Sequence, residues 1–330
     1  MKGKMHLWFI IILGLTLRHG YGQTDTSHVV NVNGIPIYYE SMGSNQHEAI
    51  LLIQGTGAQL TEWPIKLCRR LVAAGYRVIR FDNRDVGKSG KLDSLGMPDW
   101  AKIIPAIGKC DESNLPYTIK DMAKDAVGLL EALQIKKAHI VGASMGGAIA
   151  QMIAIHYPDR VRSLTCIMAS TGNPDLPQGD ASVRQIMATP PPATEDIEIL
   201  AEYLVRMRKA MGSLHFPTPD STLRQRAREA IHRSWYPIGS ARQAAAIIIA
   251  DNCDRRQLLR KISVPTVIIH GEQDPVVSHE AGKELASAIP NASFISIPGM
   301  GHDIPDQLAP TISSGILKAA VWARENAQTK

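Results

Sequence analysis

The stretch AHIVGASMGG, residues 138–147, decides how the chain is read. A continuous apolar run of this length suits a strand covered on both faces. It ends in Gly142-Ala143-Ser144-Met145-Gly146, and a helical pattern from Met145 to Tyr157 follows at once. A G-x-S-x-G run at a strand-to-helix junction is a turn so tight that only small residues fit two positions before and after the serine. The Ser144 hydroxyl then projects above the sheet, and the N–H of Met145 points to where an oxyanion would form. The plainer alternative is a glycine-rich turn with a serine helix cap. A base and an acid elsewhere in the chain would separate the two, because a serine is inert without them.

Outward from this turn, apolar runs alternate with helical patterns. HVVNV and IPIYYE flank Asn33-Gly34, a hairpin signal. AILLIQ (49–54), YRVIRF (76–81), SLTCIM (163–168), TVIIHG (266–271) and SFISIP (293–298) read as further strands. Helices are expected over Thr61–Ala74, with Thr61 as N-cap, and over Thr118–Leu133, Ser278–Ala288 and Pro305 to about Asn326. This alternation predicts an α/β fold with a mostly parallel, doubly wound sheet. Residues 171–252 break the rhythm: proline-rich stretches surround helical patterns near 195–211, 220–234 and 240–251. They read as a helical lid inserted between core strands, so that the core comprises 23–170 and 253–330.

In such a sheet, sites form at the carboxyl ends of the strands. Asp274 follows TVIIHG and His302 follows the last strand in IPGMGHDIP, which supplies an acid and a base in the order this fold requires. Glu272 is a rival acid, and His270, at a strand end, reads as packed. The loop IQGTGAQLTEW should bring the second oxyanion donor, the N–H of Thr56, with Gly55 and Gly57 allowing close approach.

These motifs together resemble a serine hydrolase of the α/β-hydrolase superfamily. FDNRDVGKS (81–89) resembles the D-x-R-G-x-G-x-S loop of that family, with Asp85 in place of a glycine. YTIKDMAKDAVGLLEALQIKKAHIVGASMGGAIAQMIA resembles its core, and the likeness spans most of 28–170 and 262–325. DNRDVGKS, Trp63-Pro64 and IPGMGH are most similar to the aclacinomycin methylesterase group, which cleaves a methyl ester from a polycyclic polyketide. The resemblance implies Ser144, Asp274 and His302 as the catalytic triad and Met145 in the oxyanion hole. Gln54 stands where many relatives carry histidine. The lid segment matches poorly.

Substrate contacts are sought at Trp63 and at Met187, Met207, Met211, Trp235 and Tyr236, apolar side chains that ordinary helix packing would also explain. The acidic run TEDIEILAE (194–202) would hold a free amine in a proline iminopeptidase-like aminopeptidase, although acids favour a helix start in any case. Three functions stay open: a carboxylic ester hydrolase, such an aminopeptidase, and a triad-bearing ligand-binding receptor with little turnover.

Composition bounds the rest. The 330 residues are 45% hydrophobic and 20% charged, an ordinary globular balance. Lys2, Lys4, the apolar run from Leu7 to Leu17, and Gly20 and Gly22 read as a secretory signal ending at residue 22, with an uncleaved N-terminal anchor as the alternative. That implies a secreted or periplasmic protein with no stable membrane insertion after cleavage. Removing Lys2, Lys4 and Arg18 takes the formal charge from +5 to +2, which excludes a nucleic-acid surface. No metal-binding or nucleotide-binding motif is present, so no cofactor is implied. Of the cysteines, Cys166 reads as a core residue, and a bridge between two of Cys68, Cys110 and Cys253 is open.

Overall fold

The computed structural model describes residues 25–328; the expected signal segment lies outside them. Eight strands form one sheet in the order β1-β2-β4-β3-β5-β6-β7-β8. They are β1 (Thr26–Val32), β2 (Ile35–Met42), β3 (Ala49–Ile53), β4 (Arg77–Phe81), β5 (Ala138–Ala143), β6 (Val161–Ile167), β7 (Thr266–Gly271) and β8 (Ser293–Ile297). β3 to β8 are parallel, and the β1–β2 hairpin joins antiparallel through β2 on β4. Asn33 and Gly34 both take positive φ (52° and 79°), the turn that matches strand twist.

Side chains alternate across the sheet, so one strand feeds two cores. Ile50 and Leu52 of β3 face α1 (Ile65–Ala73) and the C-terminal helix, whereas Leu51 and Ile53 face the helices that follow β4 and β5. A short α2 (Trp100–Ile103) lies in the excursion after β4. Then come α3 (Ile119–Ala132), opened by a Thr118–Asp121 capping box, and α4 (Met145–His156).

The first helix differs from its expectation. It begins at Ile65, with a 3-10 turn over Leu60–Glu62 before it, and Thr61 is not its N-cap. Pro64 is the reason: a residue before proline is pushed to extended backbone, and Trp63 sits at φ −71°, ψ 117°.

Between β6 and β7 lie α5 (Ala181–Met187), α6 (Ile197–Met211), α7 (Asp220–Arg233), α8 (Pro237–Ala250) and the short α9 (Arg256–Leu259). α5 has no clear periodicity in the sequence, and α8 starts earlier than expected because Pro237 occupies its first turn, where proline is tolerated. α6 and α7 share a small core of Leu200, Ala201, Val205, Leu223, Ala227 and Ile231. The chain closes with α10 (His279–Ala288) and α11 (Ala309–Gln328). A disulfide joins Cys110, in the excursion after β4, to Cys253 beyond α8; Cys68 and Cys166 are free and buried.

The order of strands reverses between β3 and β5, whose carboxyl ends are level through the pairing of Ile53 with Gly142. Such a switch point opens a crevice between the two following loops.

Candidate active site

Ser144 stands at that crevice, between β5 and α4. Its backbone has φ 53° and ψ −123°, a region that costs a non-glycine residue about 1–3 kcal/mol. The neighbours make the turn possible. A Cβ on Gly142 would lie 2.0 Å from the carbonyl oxygen of Gly146, and one on Gly146 would lie 2.1 Å from that of Ile53. The Ser144 N–H is tied to the Ile167 carbonyl at 2.9 Å, so the strained residue is anchored to β6.

Loops after β7 and β8 bring two partners to it. His302 Nε2 lies 2.9 Å from Ser144 Oγ, and His302 Nδ1 lies 2.8 Å from Asp274 Oδ2. The Asp274 carboxylate accepts a hydrogen bond from Nδ1–H, which leaves Nε2 as the acceptor for the serine hydroxyl. The other carboxylate oxygen of Asp274 accepts the N–H groups of Val276 and Val277, both at 2.9 Å. His270 is fully buried behind this acid, its Nε2 3.0 Å from the Val277 carbonyl and 3.3 Å from Asp274 Oδ2. Glu272 faces elsewhere, where it accepts the Ser296 hydroxyl.

The charges follow from this arrangement. Burial opposes a charge on Asp274, but His302 and His270 outweigh it and hold the carboxyl well below its usual range. Burial likewise opposes protonated His302, and the Asp274 carboxylate, with Asp303 and Asp251 further off, outweighs it and raises the imidazole above its ordinary value.

The loop after β3 lies against the serine: a Cβ on Gly55 would come 3.1 Å from that of Ser144. Within this loop Gly55 N–H donates to Gln54 Oε1 (3.0 Å), Gly57 N–H to Gln243 Oε1 (2.8 Å) and Ala58 N–H to the Gly55 carbonyl (3.3 Å). The Thr56 N–H keeps no acceptor among the described residues, and the Thr56 hydroxyl reaches the Met145 sulfur at 3.6 Å. Met145 opens α4, where backbone N–H groups lack helical partners.

The apolar candidates fare differently. Trp63 is 0% exposed in the core with Leu67, Leu71 and Ile304, so its expected substrate contact is corrected to packing. Trp235 packs against the α6–α7 core, and Tyr236 is engaged by Arg242 and Asp93. Most of the acidic run is engaged: Asp196 caps α6, while Glu198 and Glu202 pair with Arg228 and Arg224 of α7; Glu195 is exposed. Among the described residues no group of three or more His, Cys, Asp or Glu could hold a metal ion, and no helix is long and apolar enough to cross a membrane.

Four polar residues of the segment between β6 and β7 bond to loops around the site, and no local motif marks them. Ser213, after α6, accepts the Gly301 N–H at 2.9 Å, and its own N–H donates to Asp303 at 3.0 Å. His302 N–H donates to the Met211 carbonyl at 2.8 Å. Gln243 holds the loop after β3. Arg242 makes a two-pronged, fully buried ion pair with Asp85, both prongs 2.8 Å. Asp251, at the end of α8, accepts the Ser170 hydroxyl at 2.9 Å.

Comparison with known proteins places the chain in a family. The chain is 27% identical over 299 residues to rhodomycin D methylesterase of Streptomyces peucetius, covering 84% of this chain and 93% of that protein. It is 28% identical over 278 residues to a 2-hydroxy-6-oxononadienedioate/2-hydroxy-6-oxononatrienedioate hydrolase of Paraburkholderia xenovorans, covering 81% of this chain and 84% of the relative. Among solved structures, the enol-lactonase from Burkholderia xenovorans superposes with a TM-score of 0.68 at 21% identity, over 89% of this chain and 100% of that one. The alpha/beta hydrolase fold family matches residues 48–307, and the chain belongs to that family.

Proposed function

We propose that this chain is a serine carboxylic ester hydrolase with Ser144, His302 and Asp274 as its triad. The observation that carries the reading is the unbroken relay of hydrogen bonds from Ser144 Oγ through His302 to Asp274, on a serine held in a strained turn. His302 Nε2 takes the hydroxyl proton as Ser144 Oγ attacks the ester carbonyl carbon. The negative charge moves to the carbonyl oxygen, which the N–H groups of Met145 and Thr56 receive. Collapse expels the alcohol, which takes the proton from His302. Water, deprotonated by the same histidine, then attacks the acyl-serine and releases the acid.

In this reading residues 171–252 form a lid over the site and choose the substrate. The methylesterase relative supports a methyl ester as the substrate class. Three of the lid acids, Asp196, Glu198 and Glu202, are committed to a helix cap and to ion pairs, which weakens the support for the aminopeptidase alternative. The leader reading and the Cys110–Cys253 bridge both support an exported, oxidised protein; N-terminal sequencing of exported material should begin at Gln23, and retention of the full leader in the cytoplasm would oppose this.

The test sets purified protein against p-nitrophenyl acetate, methyl benzoate and a prolyl anilide, beside Ser144→Ala. Ester turnover that disappears in the variant is expected. Preference for the anilide, or turnover surviving the substitution, would overturn the reading.

A further inference from the structure

The loop that carries Thr56 has little of its own to hold it. Gly55 and Gly57 flank Thr56, and glycine restrains a backbone less than any other residue. Three side-chain amides do the holding instead: Asn83 donates to the Gln54 carbonyl at 3.0 Å, and the other two flank Thr56. Gln54, from the same loop, binds the Gly55 N–H at 3.0 Å. Gln243 binds the Gly57 N–H at 2.8 Å and comes from α8, 186 positions away. Thr56 is therefore bracketed on both sides.

The second bond is anchored at its other end. Gln243 Nε2 donates to the Arg84 carbonyl at 2.7 Å, so one side chain with no exposure ties the loops after β3 and β4 together. Its neighbours fix the helix against both loops. Ser240 lies against Gly57, where an added Cβ would meet its hydroxyl at 2.9 Å, and Arg242 is paired with Asp85. A helix of the inserted segment thus sets where the loop after β3 lies.

Resting on the ester-hydrolase reading, we propose that Gln243 is the positioning residue of the oxyanion loop, fixing the peptide beside Thr56 so that the Thr56 N–H faces the developing oxyanion. Gln243 touches no reacting atom; it acts through Gly57. Its removal should weaken binding of the transition state and leave binding of the ground state alone. Losing an oxyanion donor outright costs about 10²–10³ in turnover, and a mispositioned donor should cost a part of that.

The experiment compares Gln243→Leu, Gln243→Glu and the wild-type chain on p-nitrophenyl acetate, and titrates each with phenylboronic acid, whose tetrahedral adduct with the serine mimics the oxyanion. Gln243→Leu is expected to lower kcat about ten- to a hundredfold with KM held within about twofold, and to weaken the boronic acid in step. Gln243→Glu keeps an acceptor for Gly57 and should recover part of kcat. Gln243→Asn, too short to bridge both loops, replaces the leucine variant if that one does not fold, and should show the same split. A folded variant that keeps kcat, or loses it without weakening the boronic acid, overturns the proposal. Glutamate no better than leucine overturns it too. If wild-type turnover instead survives Ser144→Ala, the hydrolase reading itself has failed, and the two failures are thereby told apart.

Discussion

The sheet and the helices inserted between β6 and β7 differ in how much polar bonding attaches them, although α8 also puts Ala246 and Ala250 into the apolar core beneath the sheet. β3, β4, β5 and β7 are buried along their whole length, and their side chains fill two apolar cores. Burial of this kind is non-directional and contributes roughly 25 cal/mol per Å² of apolar area. Much of the seam with the inserted helices is instead made of single polar side chains. Arg242 pairs with Asp85, Arg233 with Asp82 at 2.7 Å, and Gln59 donates to the carbonyls of Ala230 and Ser234. Ser213 and the Met211 carbonyl hold the His302 loop. An apolar core tolerates many sequences of the right volume, whereas a directional bond fails with one atom. The proposed catalytic geometry sits where the two kinds of attachment meet.

The largest effect should come from the core side. Asp274→Asn is expected to lower kcat about 10⁴-fold by losing the partner that fixes the His302 tautomer. Its pH profile sharpens the point. The base works as neutral imidazole, so activity rises with pH as His302 loses its proton. Because Asp274 raises that pKa, the rise in the native enzyme should lie above pH ~6.5, the ordinary histidine value. In Asp274→Asn it should shift to lower pH; an unmoved limb would show that another group is titrating.

The seam itself is probed by Asp85→Gly. Asp85 has φ 70°, and glycine would relieve about 1–2 kcal/mol of left-handed strain. Against this, Arg242 would be left buried and unpaired, at a cost of about 3–5 kcal/mol. The second effect is the larger. Denaturant unfolding should show a net loss of roughly 2 kcal/mol, mostly recovered in Asp85→Gly/Arg242→Leu. A stabilised single variant would break the contrast drawn between core and seam.

Much of this contrast follows from what a sequence can display. The strands are legible because apolar runs repeat along the chain, and Ser144, Asp274 and His302 are conspicuous because each follows such a run. Gln243 and Ser213 carry no comparable signal. Their partners lie 186 and 88 positions away, and a lone polar residue in a helix or loop reads as solvated. Trp63 misleads for the opposite reason: aromatic size fits a binding wall or a core, and only packing decides between them. Cysteine spacing could not pick Cys110 and Cys253, because pairing depends on the excursion after β4 folding back towards the end of α8. Asp85 is visible as a departure from the glycine of related loops, but its partner in α8 is not.

A smaller effect is expected from Ser213→Ala. The Gly301 N–H would lose its acceptor while His302 keeps Asp274, so kcat should fall about tenfold with little change in KM. Equal losses in kcat and in unfolding free energy at every pH would mean that Ser213 only stabilises the fold.

The most direct test of the central claim is covalent. A fluorophosphonate reacts with a serine only when a base has activated it, and mass spectrometry of the digested protein locates the label. The account predicts a single modified residue, Ser144, with labelling abolished in Ser144→Ala and strongly slowed in His302→Ala. A label on another residue, or an unreactive Ser144 in a folded protein that still hydrolyses esters, would contradict it.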